Sequence, residues 1–292
     1  MTGTSRTHRL ATPIAFVFGG GAASTASQVG MLAAVLGAGV RPDLIVGTSA
    51  GALNGVVLAD DPRNAVARLT AVWSSCDRSR VIGDSRLRQV RNLLGGHYMF
   101  RNKRLAGLFT AEVTARSFAE LTIPFACVAT DLATGEPALL EQGDLVDALL
   151  ATCAIPGVFP LIRRDGKLLA DGGYVANVPI RQAIDLGAAS LVVFDGRPRL
   201  ATRGEPKDVR DSTTAAFAAA LNRQYVNDIE FARETMPVLC LPGQPTGHVK
   251  GFDFGNSAKM ISDAQDASRH FLRQDLLRPP ATSPRNNTDV VA

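Results

Sequence analysis

The sequence predicts an α/β fold: a three-layer α/β/α arrangement with a mainly parallel central sheet. Two observations predict it. Compact apolar, β-branched runs at Ile14–Phe18, Leu44–Val46 and Leu191–Phe194 are separated by segments whose apolar residues recur at helical spacing, as buried strands alternating with helices do. The first 60 residues already read strand, helix, strand, helix, a βαβ unit, which makes the strands parallel and puts helices on the faces of the sheet.

The elements follow in order. Residues 1–11 read as a mobile leader, and Ile14–Phe18 as the first buried strand. Ser24 to Leu36 is helical, with Val29, Leu32 and Leu36 on one side; Gly37 and Gly39 end it, and Pro42 stops any continuation. After the second strand, Leu44–Val46, the run Ala52–Leu58 is helix-like, and Asp61-Pro62 opens another helix that extends through Trp73. Ala111–Leu121 reads as a helix. Ile123–Thr130 and Pro137–Glu141 read as neighbouring strands around the Ala133-Thr134-Gly135 turn. Asp144 caps a helix through Ala151, Leu168–Ala170 is a short strand, and Leu191–Phe194 a further one. Arg197–Arg210 is a polar loop. A long helix, Thr213–Glu234, a last strand, Val238–Leu241, and a last helix, Asn256–Leu277, complete the pattern. Residues 12–278 therefore read as one domain without linker or repeat, and residues 279–292, rich in Pro, Ser, Thr and Asn, as a disordered tail.

Composition narrows the function classes. The 292 residues are 46% hydrophobic and 20% charged, which suits a packed globular protein. A net charge of +4 is too mild to suggest nucleic acid as a partner. Cys76, Cys127, Cys153 and Cys240 form no C-x-x-C pair and read as free thiols in a reducing compartment, not as a disulfide frame or zinc site. Arg6, His8 and Arg9 precede a weakly apolar run that Gly19-Gly20-Gly21 breaks early. The expected location is therefore cytoplasmic, with peripheral membrane contact as an addition. That addition comes from residues 76–110. Arg78, Arg80, Arg86, Arg88, Arg91, Arg101, Lys103 and Arg104 outnumber Asp77 and Asp84 there, with apolar residues between them. The segment reads either as a cationic cap that meets anionic lipid or as a solvated helical insertion.

The chemistry begins at Gly47-Thr48-Ser49-Ala50-Gly51, a G-x-S-x-G between a strand and a helix, the setting of a nucleophile elbow. Gly47 and Gly51 allow the sharp turn, and the helix N-terminus turns free N–H groups and a partial positive charge toward the serine. A tight Gly-Ser loop is the alternative reading of the same five residues. A serine nucleophile needs a base and an oxyanion hole. None of His8, His97, His248 and His270 has a sequence setting that suits a base. Asp171 does, at the end of an apolar run and followed by Gly172-Gly173, which leave room for close approach; by spacing alone it equally reads as a D-G turn. Gly19-Gly20-Gly21, between the first strand and the first helix, is the natural oxyanion hole. Ala22 and Thr25 spoil a Rossmann fingerprint, and no Gly-Lys-Ser/Thr follows to make a P-loop.

These pieces together resemble the patatin-like phospholipase family, from about Ile14 to Phe194. Besides the glycine turn, the elbow and Asp171-Gly172-Gly173, the likeness rests on Ala129-Thr130-Asp131-Leu132 with Thr134-Gly135-Glu136, on the run Ala151 to Pro160, and on Gly172 to Pro179. The resemblance implies a patatin-like acyl hydrolase domain with a Ser/Asp dyad and no histidine. Ser49 is then the nucleophile, Asp171 its base, and the backbone N–H groups around Gly20, Gly21 and Ala22 the oxyanion hole. No metal or organic cofactor is implied, and calcium is not required. One departure stands out. Where the family's glycine turn continues with a small residue, Arg or Lys, and Gly, this chain has Ala23, Ser24 and Thr25. Loss of that cation predicts a broad acyl-ester hydrolase or lysophospholipase-like enzyme sooner than a tuned phospholipase, acting on a lipid or acyl-ester substrate. An acyltransferase using the same acyl-enzyme, and a catalytically silent lipid-binding protein, are the rival readings.

Overall fold

The computed structural model describes residues 10–82, 98–197, 205–243 and 252–277. In chain order the elements are β1 (Ile14–Phe18), a 3-10 turn (Ala22–Thr25), α1 (Ala26–Gly37), β2 (Leu44–Thr48), α2 (Ala50–Asp60), α3 (Ala65–Ser75), α4 (Arg78–Val81), α5 (Lys103–Glu112), β3 (Phe125–Asp131), β4 (Pro137–Leu140), α6 (Leu145–Thr152), β5 (Ile162–Arg164), β6 (Lys167–Asp171), α7 (Ile180–Asp185), β7 (Ser190–Phe194), α8 (Val209–Thr235), β8 (Val238–Cys240) and α9 (Ser257–Leu277). The strands form one eight-stranded sheet whose hydrogen-bonded path runs β5-β6-β3-β2-β1-β7-β8, with β4 on β3. The pairs among β3, β2, β1, β7 and β8 are parallel; β4, β6 and β5 add antiparallel pairs beside β3. The fold is thus the expected α/β class with a mainly parallel sheet.

Both faces of the sheet are covered, and the strand period of two divides the side chains between them. Phe16, Phe18, Ile45, Phe125, Cys127, Val192 and Phe194 pack with α1, α2, α3, α6 and α9 on one face. Ala15, Val17, Val46, Ala126, Val128, Leu191 and Val193 pack with Ile180 and Ala183 of α7 and Ile229 and Ala232 of α8 on the other.

The register around β3 positions the site. Cys127 and Val128 pair with Gly47 and Thr48 of β2 and also with Leu140 and Leu139 of β4, so β2 and β4 occupy opposite edges of β3. Ala129 and Thr130 pair with β4 and with Asp171 and Ala170 of β6, so β6 shares the edge that β2 occupies. β2 ends at Thr48 across from Val128, and β6 ends at Asp171 across from Ala129. The two strands therefore meet end to end, and the chain turns off the sheet immediately after each.

Several boundaries differ from the sequence reading. The helix expected over Ala111–Leu121 lies earlier, at Lys103–Glu112, followed by a 3-10 turn at Phe118–Glu120. Val113 is extended, and the Thr114 and Ala115 N–H groups each donate to the Asp60 carboxylate at 3.0 Å. A tertiary acceptor replaces the helical ones just where β-branched Val113-Thr114 disfavour the helix. The long helix expected from Thr213 begins at Val209, because Asp208 caps it by accepting the Asp211 N–H at 2.7 Å; residues 198–204 of the expected polar loop lie outside the described residues. The helix read from Asp61-Pro62 begins at Ala65, and that read from Ser24 begins at Ala26 after the 3-10 turn. β5 and α7 carried no signal that the sequence reading used. Most of the leader, residues 83–97 of the basic segment and the expected C-terminal tail lie outside the described residues.

Candidate active site

Ser49 sits between β2 and α2 with φ +54° and ψ −131°, a conformation that L-residues rarely adopt and that a packed surrounding must impose. Gly47, next to last in β2, lies against α2: a Cβ there would lie 2.7 Å from Ala52 Cα. Gly51 makes the turn possible by proximity: a Cβ there would lie 2.4 Å from the Gly19 carbonyl oxygen and 2.7 Å from that of Phe18. Any side chain would push α2 away from the end of β1. The Ser49 N–H donates to Thr152 Oγ1 at 2.9 Å, and the Thr152 hydroxyl donates in turn to the Val128 carbonyl. Thr152, at the end of α6, thus pins the elbow to β3. The sequence reading took it only as part of the Ala151–Pro160 run.

Ser49 Oγ donates to Asp171 Oδ2 at 2.6 Å, and the Gly173 N–H donates to Asp171 Oδ1 at 2.7 Å. The Asp171 backbone is held as well, its N–H by the Ala154 carbonyl and its carbonyl by the Thr130 hydroxyl. Gly172 lets the turn close over β3, since a Cβ there would lie 2.1 Å from the Val128 carbonyl oxygen. Ser49 and Asp171 are both buried. Burial pushes the Asp171 carboxyl up to about 6, against the opposing hydrogen bonds from Ser49 and Gly173. Such a group is ionised at neutral pH, yet far more basic than an ordinary carboxylate, which suits a proton acceptor.

The glycine turn approaches the serine from the end of β1. The Gly19 N–H donates to the Phe194 carbonyl at 3.1 Å and the Gly20 N–H to the Asn177 carbonyl at 2.9 Å. Gly20 instead offers closeness: a Cβ there would lie 3.2 Å from Ser49 Cβ. Of the three amides expected to face the serine, Gly20's is therefore taken up by Asn177, while those of Gly21 and Ala22 have no acceptor among the described residues. Ala22 adopts φ +49°. Ser24, which stands where the family's cation was expected, is buried, and its hydroxyl donates to the Gly21 carbonyl at 2.7 Å.

From Ser49 an apolar cavity, partly open to solvent, runs between the helices. Ala22, Ala50, Leu53, Val72, Trp73, Ile155, Phe159, Phe252 and Phe254 line it, together with Cys76, Val81, Leu105, Leu108 and Phe109 from the described part of the basic segment. That segment turns its apolar side chains inward, while Arg78, Arg80, Lys103 and Arg104 are exposed. Cys153 also lines the cavity; burial, then the charge on Asp171, raises its thiol well above the ordinary value, so it stays neutral beside Ser49. Among the described histidines, His270 is on the exposed side of α9 against Gln274; His8, His97 and His248 lie outside the described residues. Among the described residues, no group of His, Cys, Asp and Glu is arranged to hold a metal ion, and no helix is long and apolar enough to cross a membrane.

Comparison with known proteins places the chain among relatives. A patatin-like phospholipase domain-containing protein of Caenorhabditis elegans is 32% identical over 187 residues, covering 62% of this chain and 13% of that protein. Patatin-like phospholipase domain-containing protein 7 of Mus musculus is 28% identical over 188 residues, and Neuropathy target esterase sws of Drosophila melanogaster 30% identical over 188 residues; each match covers 62% of this chain and 13% of the relative. The chain thus spans about an eighth of the length of these relatives. Among solved structures, VipD from Legionella pneumophila superposes with a TM-score of 0.46 at 14% identity, covering 90% of this chain and 66% of that one. The type III effector ExoU superposes with a TM-score of 0.36 at 14% identity, covering 91% and 54%. The patatin-like phospholipase family profile matches residues 16–184, from β1 through the elbow and Asp171 into α7, and with more than half of its length matched the chain belongs to the patatin-like phospholipase family.

Proposed function

We propose that this protein is a serine hydrolase of lipid acyl esters in which Ser49 is the nucleophile and Asp171 the general base. The observation that carries the proposal is the 2.6 Å hydrogen bond from Ser49 Oγ to Asp171 Oδ2 at the head of an apolar cavity. An acyl chain enters the cavity and brings its carbonyl carbon to Ser49. Oγ attacks that carbon as its proton passes to Asp171 Oδ2. The carbonyl π electrons move onto oxygen, and the Gly21 and Ala22 amides receive the oxyanion. Such donors are worth roughly 3 to 4 kcal/mol each in the transition state. The C–O bond to the leaving alcohol breaks, and the alcohol takes the proton from Asp171. Water then loses a proton to Asp171 and attacks the acyl-enzyme. The fatty acid is released, and the proton returns to Ser49 Oγ.

The cavity supports a substrate with a long acyl chain. The glycine turn carries a neutral Ser24, not a cation, which supports broad acceptance of acyl esters over preference for a phosphorylated head group. Exposed Arg78, Arg80, Lys103 and Arg104 lie on helices whose inner residues line the cavity. They support peripheral contact with an anionic lipid surface, the mouth of the cavity turned toward it.

The test is labelling by a fluorophosphonate probe, with wild type compared with Ser49→Ala and Asp171→Asn. Labelling of the wild type alone is the expected result. Labelling that persists in Ser49→Ala, or a wild type that does not react, overturns the assignment.

A further inference from the structure

We infer that Gln28 and Asn54 are positioning residues of the proposed reaction, linking the wall of the acyl cavity to the oxyanion turn. The inference rests on the Ser49 hydrolase reading given above.

Each carbonyl of the turn accepts from a side chain. Gly19 accepts from Gln28 Nε2 at 2.7 Å, Gly20 from Asn177 Nδ2 at 3.4 Å, Gly21 from Ser24 Oγ at 2.7 Å and Ala22 from Thr25 Oγ1 at 2.7 Å. A peptide unit is planar and trans, so holding the carbonyl of one residue aims the N–H of the next in the opposite direction. Asn177 and Ser24 thereby aim the Gly21 and Ala22 amides. Gln28 fixes the preceding plane, from which the Gly20 N–H reaches Asn177. Side-chain donors hold the turn where a cation would otherwise have served.

Gln28 is itself held from a distance. Its Nε2 also donates to the Phe194 carbonyl at 2.9 Å, and its Oε1 accepts from Asn54 Nδ2 at 2.8 Å. Asn54 Nδ2 donates further to the Thr25 carbonyl at 3.0 Å, and Asn54 Oδ1 accepts from Trp73 Nε1 at 2.8 Å. Gln28 and Asn54 are completely buried. An indole N–H only donates, so the atom of Asn54 that meets it must be the oxygen. That fixes which way the Asn54 amide points and makes its nitrogen the donor to Gln28. The Gln28 amide is then fixed too, its nitrogen facing the Gly19 carbonyl. Every donor and acceptor in the chain is satisfied in one orientation, and reversing any link leaves buried polar groups facing their own kind. Trp73, which starts the chain, also lines the cavity that the acyl group occupies. The geometry of the oxyanion turn therefore depends on the N–H of a cavity-wall residue.

The test uses the full chain and a long-chain alkyl fluorophosphonate, with the saturating rate of Ser49 modification measured separately from the half-saturating concentration. Trp73→Phe removes the N–H and keeps a ring. Gln28→Met removes the amide at similar length. Leu239→Ala loosens the core at β8, at a residue that neither lines the cavity nor joins the relay. Thermal melting is followed for all three. Gln28→Met is expected to lower the saturating rate by about tenfold to about 100-fold, as a ~1 Å misplacement does, with little change in half-saturation, and Trp73→Phe to lower the rate in the same sense. Leu239→Ala is expected to lower the melting temperature and leave the saturating rate at the wild-type value, which separates positioning from general loosening. Wild-type saturating rates in both relay variants overturn the relay and leave the Ser49 reading standing. If Gln28→Met does not fold, Trp73→Phe decides alone by the same criterion. A wild type that the probe does not modify overturns the hydrolase reading and the relay with it.

Discussion

Ser49 is the first residue after β2 leaves the edge of β3, and Asp171 is the last residue of β6 to arrive on that edge, so their 2.6 Å contact follows from strand register. No loop has to fold back to bring the two side chains together. Once Thr48 pairs with Val128 and Asp171 with Ala129, the pair is formed.

Gly172→Ala tests this dependence on register. The added Cβ would sit 2.1 Å from the Val128 carbonyl oxygen, which is backbone and cannot swing aside. β6 must shift or the turn must open. The expected outcome is a stability loss of about 1 to 3 kcal/mol, as for other overpacked sites. Turnover should fall by up to about 100-fold because Asp171 is misplaced. Equilibrium unfolding and ester hydrolysis would measure the two effects. Wild-type turnover in a folded Gly172→Ala protein would mean that the register does not set the dyad.

The buried carboxylate also sets the pH response. The Asp171 carboxyl is pushed from its ordinary 3.8 up to about 6. Below that pH it is protonated and cannot receive the serine proton, so hydrolysis should fall toward tenfold per pH unit on the acid side. The stability effect has the opposite sign. The folded-state value lies above the unfolded one, so the folded protein binds more protons between them. The contribution to stability is fully present below about 4 and is lost as pH rises through about 6. Above that, the buried charge costs up to ~3 kcal/mol by the usual conversion. Asp171→Asn should therefore be inactive yet more resistant to urea than wild type at pH 8, the difference closing toward pH 4. Equal urea midpoints at pH 8 would count against a strained carboxylate.

How much of this was legible in the sequence depended on how local the determinants are. Ser49, Gly51, Asp171 and Gly172 announce themselves through turn chemistry, because each turn requires small residues at fixed offsets from a strand. The strands of the parallel body were legible through their continuous apolar runs. Thr152 was not, since a threonine near a helix end carries no mark of the elbow N–H that it will meet across β3. The Gln28–Asn54–Trp73 chain was equally silent: its members come from three helices, and polar residues on such faces read as ordinary until the packing buries them. Asp60 ended a helix in another part of the chain for the same reason.

Thr152→Val would show what that threonine contributes. The substitution nearly preserves shape and removes one hydroxyl, which leaves the Ser49 N–H without its acceptor and the Val128 carbonyl without this donor. A buried group without its partner costs about 1 to 3 kcal/mol, so a combined loss of about 2 to 6 kcal/mol is expected. Fluorophosphonate labelling should slow as well, because the strained Ser49 backbone loses a restraint. A variant as stable as wild type would show that the elbow is held without Thr152.

Cavity length should control chain preference. Leu108 lines the wall formed by α5, and Leu108→Phe fills space that the far end of an acyl chain would use. Each methylene denied burial forfeits about 0.8 kcal/mol, roughly fourfold in kcat/KM. Across a series of p-nitrophenyl esters, the optimum is expected to move to shorter chains with little change for the shortest. An unchanged optimum would place the acyl chain elsewhere.

The basic helices whose inner residues line the cavity make the last prediction, on vesicles. Arg78 and Arg80 on α4 and Lys103 and Arg104 on α5 are exposed. Their inner neighbours Val81, Leu105 and Leu108 face the cavity. Asp77 is the acidic residue beside them, and its carboxyl is held below the ordinary value, first by the Ser79 hydroxyl and then by the Arg80 N–H. Each cation near an anionic bilayer contributes about 1 kcal/mol, so four of them give a weak, reversible attraction that orients the mouth toward lipid. Salt at 1 M shortens the screening length to about 3 Å from about 10 Å at 0.1 M and should release most of the bound protein. Binding to vesicles of phosphatidylcholine with phosphatidylglycerol should therefore fall with salt and fall again in Arg78→Glu/Lys103→Glu, while hydrolysis of a water-soluble ester stays at the wild-type rate. If that double variant binds such vesicles as wild type does, or if binding is indifferent to salt, these four cations do not dock the protein.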